Sequence, residues 1–329
     1  MDPRIRLRAS SYGVMLLSAK CSMKSGWVTK QTASHLRRVA FVILCLSTVA
    51  TTALAGDSPG AALLRAKQVE LGPRMSHHHF AKSLYVDSNE TPNHLSADIY
   101  AEVSHPFEVV KQALTVTENW CDVLILHVYV KYCRPVESAT DRKRLAVHIG
   151  KKEYQELNQT YRFDFGYRVP QAAADYFDII IDADKGPLGT SDYRLRVEGV
   201  ALPGNRSFLH LSYSYTYNLT GKLAMQGYLF TAGSGKVGFT ERGRTPEGES
   251  LLMDGSRGVI ERNTMRYYLS IEAYLAELPL PTGAQLERRL LRWFASTEEF
   301  SRQLHDQDLA SYLDTKRLEY RRQVDGASP

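Results

Sequence analysis

At 329 residues the chain is long enough for one large domain or two small ones. Its composition, 43% hydrophobic and 23% charged, is that of an ordinary globular protein. The net charge of +5 does not mark a nucleic-acid binder. Residues 1–55 hold eight of the 41 Lys/Arg and one of the 36 Asp/Glu, so the rest carries 33 basic against 35 acidic residues, a net of −2.

Those first residues read as an export leader. Arg37-Arg38 precede the short apolar run Val39–Leu46, and Ala53-Leu54-Ala55 has the small-x-small pattern of a cleavage site before Gly56. Residues 1–55 are therefore expected to be a signal peptide with an over-long N-terminus, Met23 being a more usual start, and the mature chain is expected in the periplasm. The alternative is a membrane anchor over 39–55. A spanning helix needs about 20 apolar residues, and this run is shorter and diluted by Ser and Thr. Cys45 follows Leu44, which is not the small residue a lipid-attachment site wants. Only Cys121 and Cys133 remain in the mature chain. An oxidising compartment favours pairing them. However, Val123–Tyr132 reads partly as a strand, and twelve extended residues cover roughly 40 Å where bridged Cα atoms lie within about 7 Å. A disulfide and two buried free thiols both stay open.

Residues 56–94 are poorly patterned, 56–83 being taken as a leading segment, with a short helix over Ala61–Leu71 as the one candidate element. His77-His78-His79 reads as a solvated loop, because adjacent histidines share no helical face and no carboxylate or cysteine pattern accompanies them. Ala97–Val103 alternates as a strand, Ser104 is placed to cap a helix with Pro106 in its first turn, and Phe107, Val110, Ala113 and Leu114 form that helix's buried side. Trp120 and Val123–Leu126 suggest a second short helix or turn. A strand series follows. Leu145–Ile149, Tyr161–Val169, Phe177–Ala183, Tyr193–Val197 and Leu209–Tyr217 alternate, with turns at Gly186-Pro187 and Pro203-Gly204-Asn205. Gly227–Thr231 and Lys236–Glu241 are expected to complete the set as a hairpin. Its Gly233-Ser234-Gly235-Lys236 turn lacks the G-x-x-x-x-G-K-[ST] spacing of a phosphate loop.

The best amphipathic helix comes late, over 258–278. Ile260, Thr264, Tyr267, Tyr268, Ile271, Leu275 and Leu278 make one apolar stripe, while Glu261, Arg262, Arg266, Glu272 and Glu277 fall largely off it. Beyond Pro279, residues 279–329 read as a charged helical extension packed on the outside, with a dimer contact as the alternative. The fold class is α+β: a curved antiparallel β-sheet gripping a long C-terminal-side α-helix, plus that extension.

This order resembles the START-like helix-grip superfamily, which includes the birch-pollen allergen, over roughly residues 84–278. SADIYAEVSHPFEVVKQAL is similar to its first strand and helix, and GVIERNTMRYYLSIEAYL to its gripping helix. The resemblance implies a divergent member with an apolar cavity between sheet and helix, and the exported context, the added C-terminal helices and the leading segment depart from the family's pattern.

No G-x-S-x-G, H-E-x-x-H or C-x-x-C motif is present, so no catalytic residue, metal or cofactor is assigned. The aromatic residues are the functional clue. Phe163, Phe165, Tyr213, Tyr215, Tyr228 and Tyr267 are expected to wall an amphipathic cavity, or else simply to fill the core. Arg266, beside Glu261 and Arg262, is expected to orient a ligand head group, the plainer reading being a solvated salt-bridged face. The expected function is binding or carrying an apolar or amphipathic, lipid-like small molecule, with peripheral membrane contact as a further partner. A cyclase- or hydrolase-type enzyme, or an envelope protein working through its C-terminal helices, are the alternatives.

Overall fold

The computed structural model describes residues 57–75, 83–136, 143–231 and 233–326. The expected signal peptide, the alternative anchor and His77–His79 lie outside the described residues. No described helix is long and apolar enough to cross a membrane.

The strands are β1 (Leu84–Thr91), β2 (His94–Val103), β3 (Val130–Val136), β4 (Arg144–Ile149), β5 (Tyr161–Ala172), β6 (Tyr176–Lys185), β7 (Thr190–Leu202) and β8 (Arg206–Tyr217). They form one curved antiparallel sheet in the order β1-β2-β8-β7-β6-β5-β4-β3. Period-two alternation sends Leu95, Ala97, Ile99 and Ala101 of β2, Ile179 and Ile181 of β6, and Leu209 and Leu211 of β8 into one core. The tight β7–β8 turn is made by Gly204 and Asn205, both in the left-handed region at φ 76° and 55°. The small hairpin β9 (Glu241–Arg244) and β10 (Ser250–Leu252) stands apart from the main sheet.

The helices are α1 (Pro59–Met75), α2 (Phe107–Leu114), α3 (Asn119–Leu124), α4 (Leu219–Phe230), α5 (Gly255–Ala276), α6 (Thr282–Glu298), α7 (Ser301–Leu304) and α8 (Leu309–Val324). The expected gripping helix is α5, which lies against β1, β2 and β8. Ile260, Tyr268, Leu269, Ile271 and Leu275 are buried in its core. Each such aliphatic side chain contributes roughly 1.5–3 kcal/mol over an exposed one.

Several expectations are corrected. The short helix expected over Ala61–Leu71 is present but longer, Pro59–Met75, and it packs on the sheet. The helix α1 puts Ala61, Leu64, Leu71 and Met75 on the sheet's outer face, over Tyr176, Val200 and Phe208. The strand β1 was also missed, since its last five residues, Asp87-Ser88-Asn89-Glu90-Thr91, are all polar. Ser104 does not cap α2; Pro106 takes the N-cap position with no side-chain bond. The expected strand Gly227–Thr231 lies mostly inside α4. The Asn218 side chain caps this helix by accepting from the Gly221 N–H at 3.2 Å, and Gly221 and Gly227 dilute its helical pattern. Gly233–Lys236 is therefore a turn leaving a helix, not the tip of a hairpin.

The largest correction concerns the back of α5. Glu261, Arg262, Arg266 and Glu277 are 0%, 1%, 4% and 3% exposed, so there is no solvated charged face. Glu261 and Arg262 are covered by β1 and the segment 237–240, and Arg266 and Glu277 by the C-terminal part of the chain, where α6 packs on α5 and on α8, and α8 packs on β3. Their Leu290, Trp293, Leu304, Tyr312 and Leu313 are buried in the same core.

Cys121 and Cys133 are bridged, with Cα atoms 5.1 Å apart. The geometric objection fails because Cys121 is already helical in α3 and the chain turns back through residues 125–129 before β3 begins. On the chain-entropy account, a loop this short stabilises the fold by about 3 kcal/mol.

Candidate functional site

A cavity of ≈ 370 Å³ opens between the sheet, the first turns of α5 and α4. Its apolar lining comes from Pro187 and Leu188 in the β6–β7 turn, Ala224 and Met225 on α4, and Val259 and Ile260 on α5. Five tyrosines, Tyr129, Tyr193, Tyr213, Tyr215 and Tyr228, supply aromatic wall. Thr190, Arg262, Asn263 and Arg266 supply most of the remaining polar groups. A second cavity of ≈ 260 Å³ adjoins it, sharing Thr190, Tyr215, Gly221 and Met225.

The tyrosine wall follows from strand register. Tyr213 and Tyr215 lie on the core face of β8, and Tyr193 on β7 stacks on Tyr215 with ring centroids 5.3 Å apart. The Tyr193 hydroxyl donates to Thr190 Oγ1 at 2.7 Å. Burial raises the phenol pKa of Tyr213 well above the ordinary value, and that of Tyr193 also rises, so these hydroxyls stay protonated.

Four of the expected ligand-contacting residues, Tyr213, Tyr215, Tyr228 and Arg266, line this cavity together. Tyr267 stands behind the wall, its ring 5.4 Å from Tyr213 and 4.6 Å from His127. Phe163 and Phe165 stack on each other at 5.3 Å, and Phe163 meets Tyr193 edge-on at 5.1 Å. They back the wall rather than line it. Tyr193 was legible, since it alternates with Leu195 and Val197. Tyr129, Met225 and Ala224 were not, because the first sits in a tight turn and the other two lie on the part of α4, before Gly227, to which no element was assigned.

Arg266 is held by Asp306, in the loop between α7 and α8. Its Nε and Nη2 donate to Oδ2 at 3.1 and 2.7 Å. Lys236 Nζ and the Tyr129 hydroxyl donate to the other oxygen at 2.8 and 3.3 Å. Burial works against the Asp306 carboxylate, but Arg266 and Lys236 outweigh it and hold its pKa below the usual range. Glu261 is also engaged: it accepts from the Ser88 hydroxyl at 2.5 Å and from the N–H groups of Phe239 and Thr240 at 2.6 and 3.0 Å. His127 lies behind the wall. Its Nδ1 accepts from the Tyr129 N–H at 3.2 Å, which leaves Nε2 to donate to Asn263 Oδ1 at 3.1 Å. Burial, then the Arg266 and Lys316 charges, push its pKa well down and keep it neutral.

No protein-family model and no curated protein matches the chain. Solved structures with a similar fold include a START superfamily protein from Mycobacterium smegmatis, at 17% identity and TM-score 0.29, covering 43% of this chain and 92% of that one. Human StAR-related lipid transfer protein 5 is similar at 11% identity and TM-score 0.27, covering 50% and 87%. Truncated norcoclaurine synthase from Thalictrum flavum is similar at 12% identity and TM-score 0.28, covering 41% and 91%. By its own geometry, a curved antiparallel sheet closed on one long late helix, the chain has a START-like helix-grip fold.

Proposed function

We propose that the chain is an exported carrier of an apolar or amphipathic small molecule, held between the sheet and α5. The observation that carries this is the ≈ 370 Å³ cavity with its aliphatic and tyrosine lining, within the size range of small-molecule sites. The arrangement favours holding over turnover. The nearby ionisable groups Glu261, Arg266 and Asp306 are engaged by fixed partners, and His127 is neutral and out of the lining. The Cys121–Cys133 bridge supports an oxidising, exported setting. Part of the same reading is a peripheral contact with lipid surfaces through α4, whose outer Leu219, Leu223 and Phe230 are exposed.

Ala224→Trp, which places an indole in the cavity from α4, tests the reading. Native mass spectrometry of the wild-type protein incubated with 1-dodecanol should show a one-to-one complex, and the variant should lose it at least tenfold while melting normally. Absence of any complex of the wild-type protein with either 1-dodecanol or dodecanoate sinks the proposal.

A further inference from the structure

Arg262 is the one side chain of the cavity wall whose charge has been left over. It sits at the start of the third turn of α5, 1% exposed. Its Nη1 donates to the Val237 carbonyl at 3.3 Å, the Tyr228 phenol stands within hydrogen-bonding reach of the guanidinium, and its Nη2 has no hydrogen-bond partner. Among the described residues no carboxylate stands within ion-pair distance of it. Its neighbour Glu261 is taken by Ser88 and two backbone N–H groups. One turn on, Asp306 is taken by Arg266 and Lys236. Burial lowers the Arg262 pKa, the Tyr228 phenol works in the opposite direction, and the Arg266 charge adds to the lowering. A guanidinium does not escape this cost by losing its proton, because its pKa starts so high.

A buried cation without a counter-ion is strongly disfavoured, and replacing it with an apolar residue would remove that cost. A charge retained at such a position in a cavity wall is accounted for if its partner arrives from outside. Resting on the carrier reading, we infer that the cavity's ligand is an amphipathic monoanion: an apolar tail along Met225, Ala224 and Ile260, and a carboxylate seated on Arg262. Two features favour a single negative charge over a doubly charged head. Among the described residues, only one cation of the cavity wall lacks a carboxylate, since Arg266 is paired with Asp306 and Lys236, which shares that carboxylate, is partly exposed and screened by solvent. The guanidinium also presents two parallel donors to a planar carboxylate. Tyr228 on α4 stands beside the guanidinium, so the head group enters where α4 meets α5.

Isothermal titration with dodecanoate and with 1-dodecanol separates the possibilities, because the two share a tail and differ at the head. The wild-type protein should bind dodecanoate at least tenfold more tightly. Arg262→Met should reduce that ratio to about one, and Arg262→Lys should keep a preference for the acid. Equal binding of acid and alcohol by the wild-type protein, or an undiminished preference in Arg262→Met, overturns the inference and leaves the carrier reading standing. Binding of neither overturns both. The wild-type comparison needs no variant to fold, and Arg262→Met is expected to melt no lower than the wild-type protein, since it removes an unpaired buried charge.

Discussion

His210 on β8 stands between two carboxylates on the outer face of the sheet. Its Nε2 is 2.8 Å from Asp98 Oδ1 and its Nδ1 is 2.9 Å from Glu198 Oε2, while the Tyr100 ring stacks on it at 4.2 Å. Burial opposes its charge, but the two carboxylates outweigh that and raise its pKa. A histidine whose pKa is higher in the folded chain stabilises the fold fully below its unfolded value of about 6.5. That contribution is lost as pH rises through the folded value. His210→Gln should therefore cost about 2 kcal/mol at pH 5.5, the size of one charged hydrogen bond, and progressively less toward pH 9, in urea melts of variant against wild type. A penalty independent of pH would show that the imidazole is neutral in the fold. The alternation of β8 places His210 opposite the core residues Leu209 and Leu211, and that much is legible in the sequence. Its carboxylate partners come from β2 and β7, and strand order cannot be read from period-two patterning. Arg262 was missed as a buried charge for a related reason. Periodicity reports the most apolar face of a helix and says nothing of what covers the other.

At the scale of elements, the covering layer is fixed by a buried cluster of charge. Glu319 of α8 meets Lys131 of β3 at 2.9 Å and Lys316 of its own helix at 2.8 Å, all three 0–1% exposed. Lys316 also donates to the carbonyls of His127 and Val130 at 2.8 and 2.6 Å, and Lys131 to that of Val128 at 3.0 Å. Burial, against the pull of Glu319, brings the Lys316 pKa down to about 8. One carboxylate thus serves two ammonium groups, and removing it strands both. Glu319→Gln should lower stability by about 3 kcal/mol or more in urea melts near pH 7. Replacing Lys131, Lys316 and Glu319 together with apolar residues should cost much less. A change under about 0.5 kcal/mol in Glu319→Gln would show that packing alone holds α8. From the sequence, Lys316 and Glu319 look like an exposed pair three residues apart on a charged helix. Their third partner lies 185 residues before Lys316, beyond the reach of any local pattern. The long helix, the β5–β8 meander and the C-terminal helices were legible because each carries its own period over ten or more residues. The helix α4 was not, because it is short, holds two glycines and is apolar on more than one side.

That last property matters for the molecule as a whole. The inner residues of α4, Ala224, Met225 and Tyr228, wall the cavity, while its outer Leu219, Leu223 and Phe230 are 73%, 59% and 86% exposed. A helix apolar on both sides is normally buried on both sides, and three large exposed side chains on one short element form a patch that water disfavours. With the cavity on one side, a lipid surface on the other would complete its cover and bring the ligand's entrance to the source of the ligand. Burying Leu223 and Phe230 contributes roughly 1.5 kcal/mol each at the low end, so the double variant Leu223→Asp/Phe230→Asp should reduce partition onto phosphatidylcholine vesicles about a hundredfold. Both residues lie outside the cavity lining, so binding of 1-dodecanol in solution should stay within about twofold of wild type. Vesicle sedimentation reads the first quantity and native mass spectrometry the second. Undiminished partition with intact ligand binding would remove α4 from the membrane contact without touching the cavity. Loss of both together would mean that the substitutions had collapsed the wall, and an apolar outer face preserved by Leu223→Met/Phe230→Leu, which should partition within about tenfold of wild type, separates that outcome from a true surface effect.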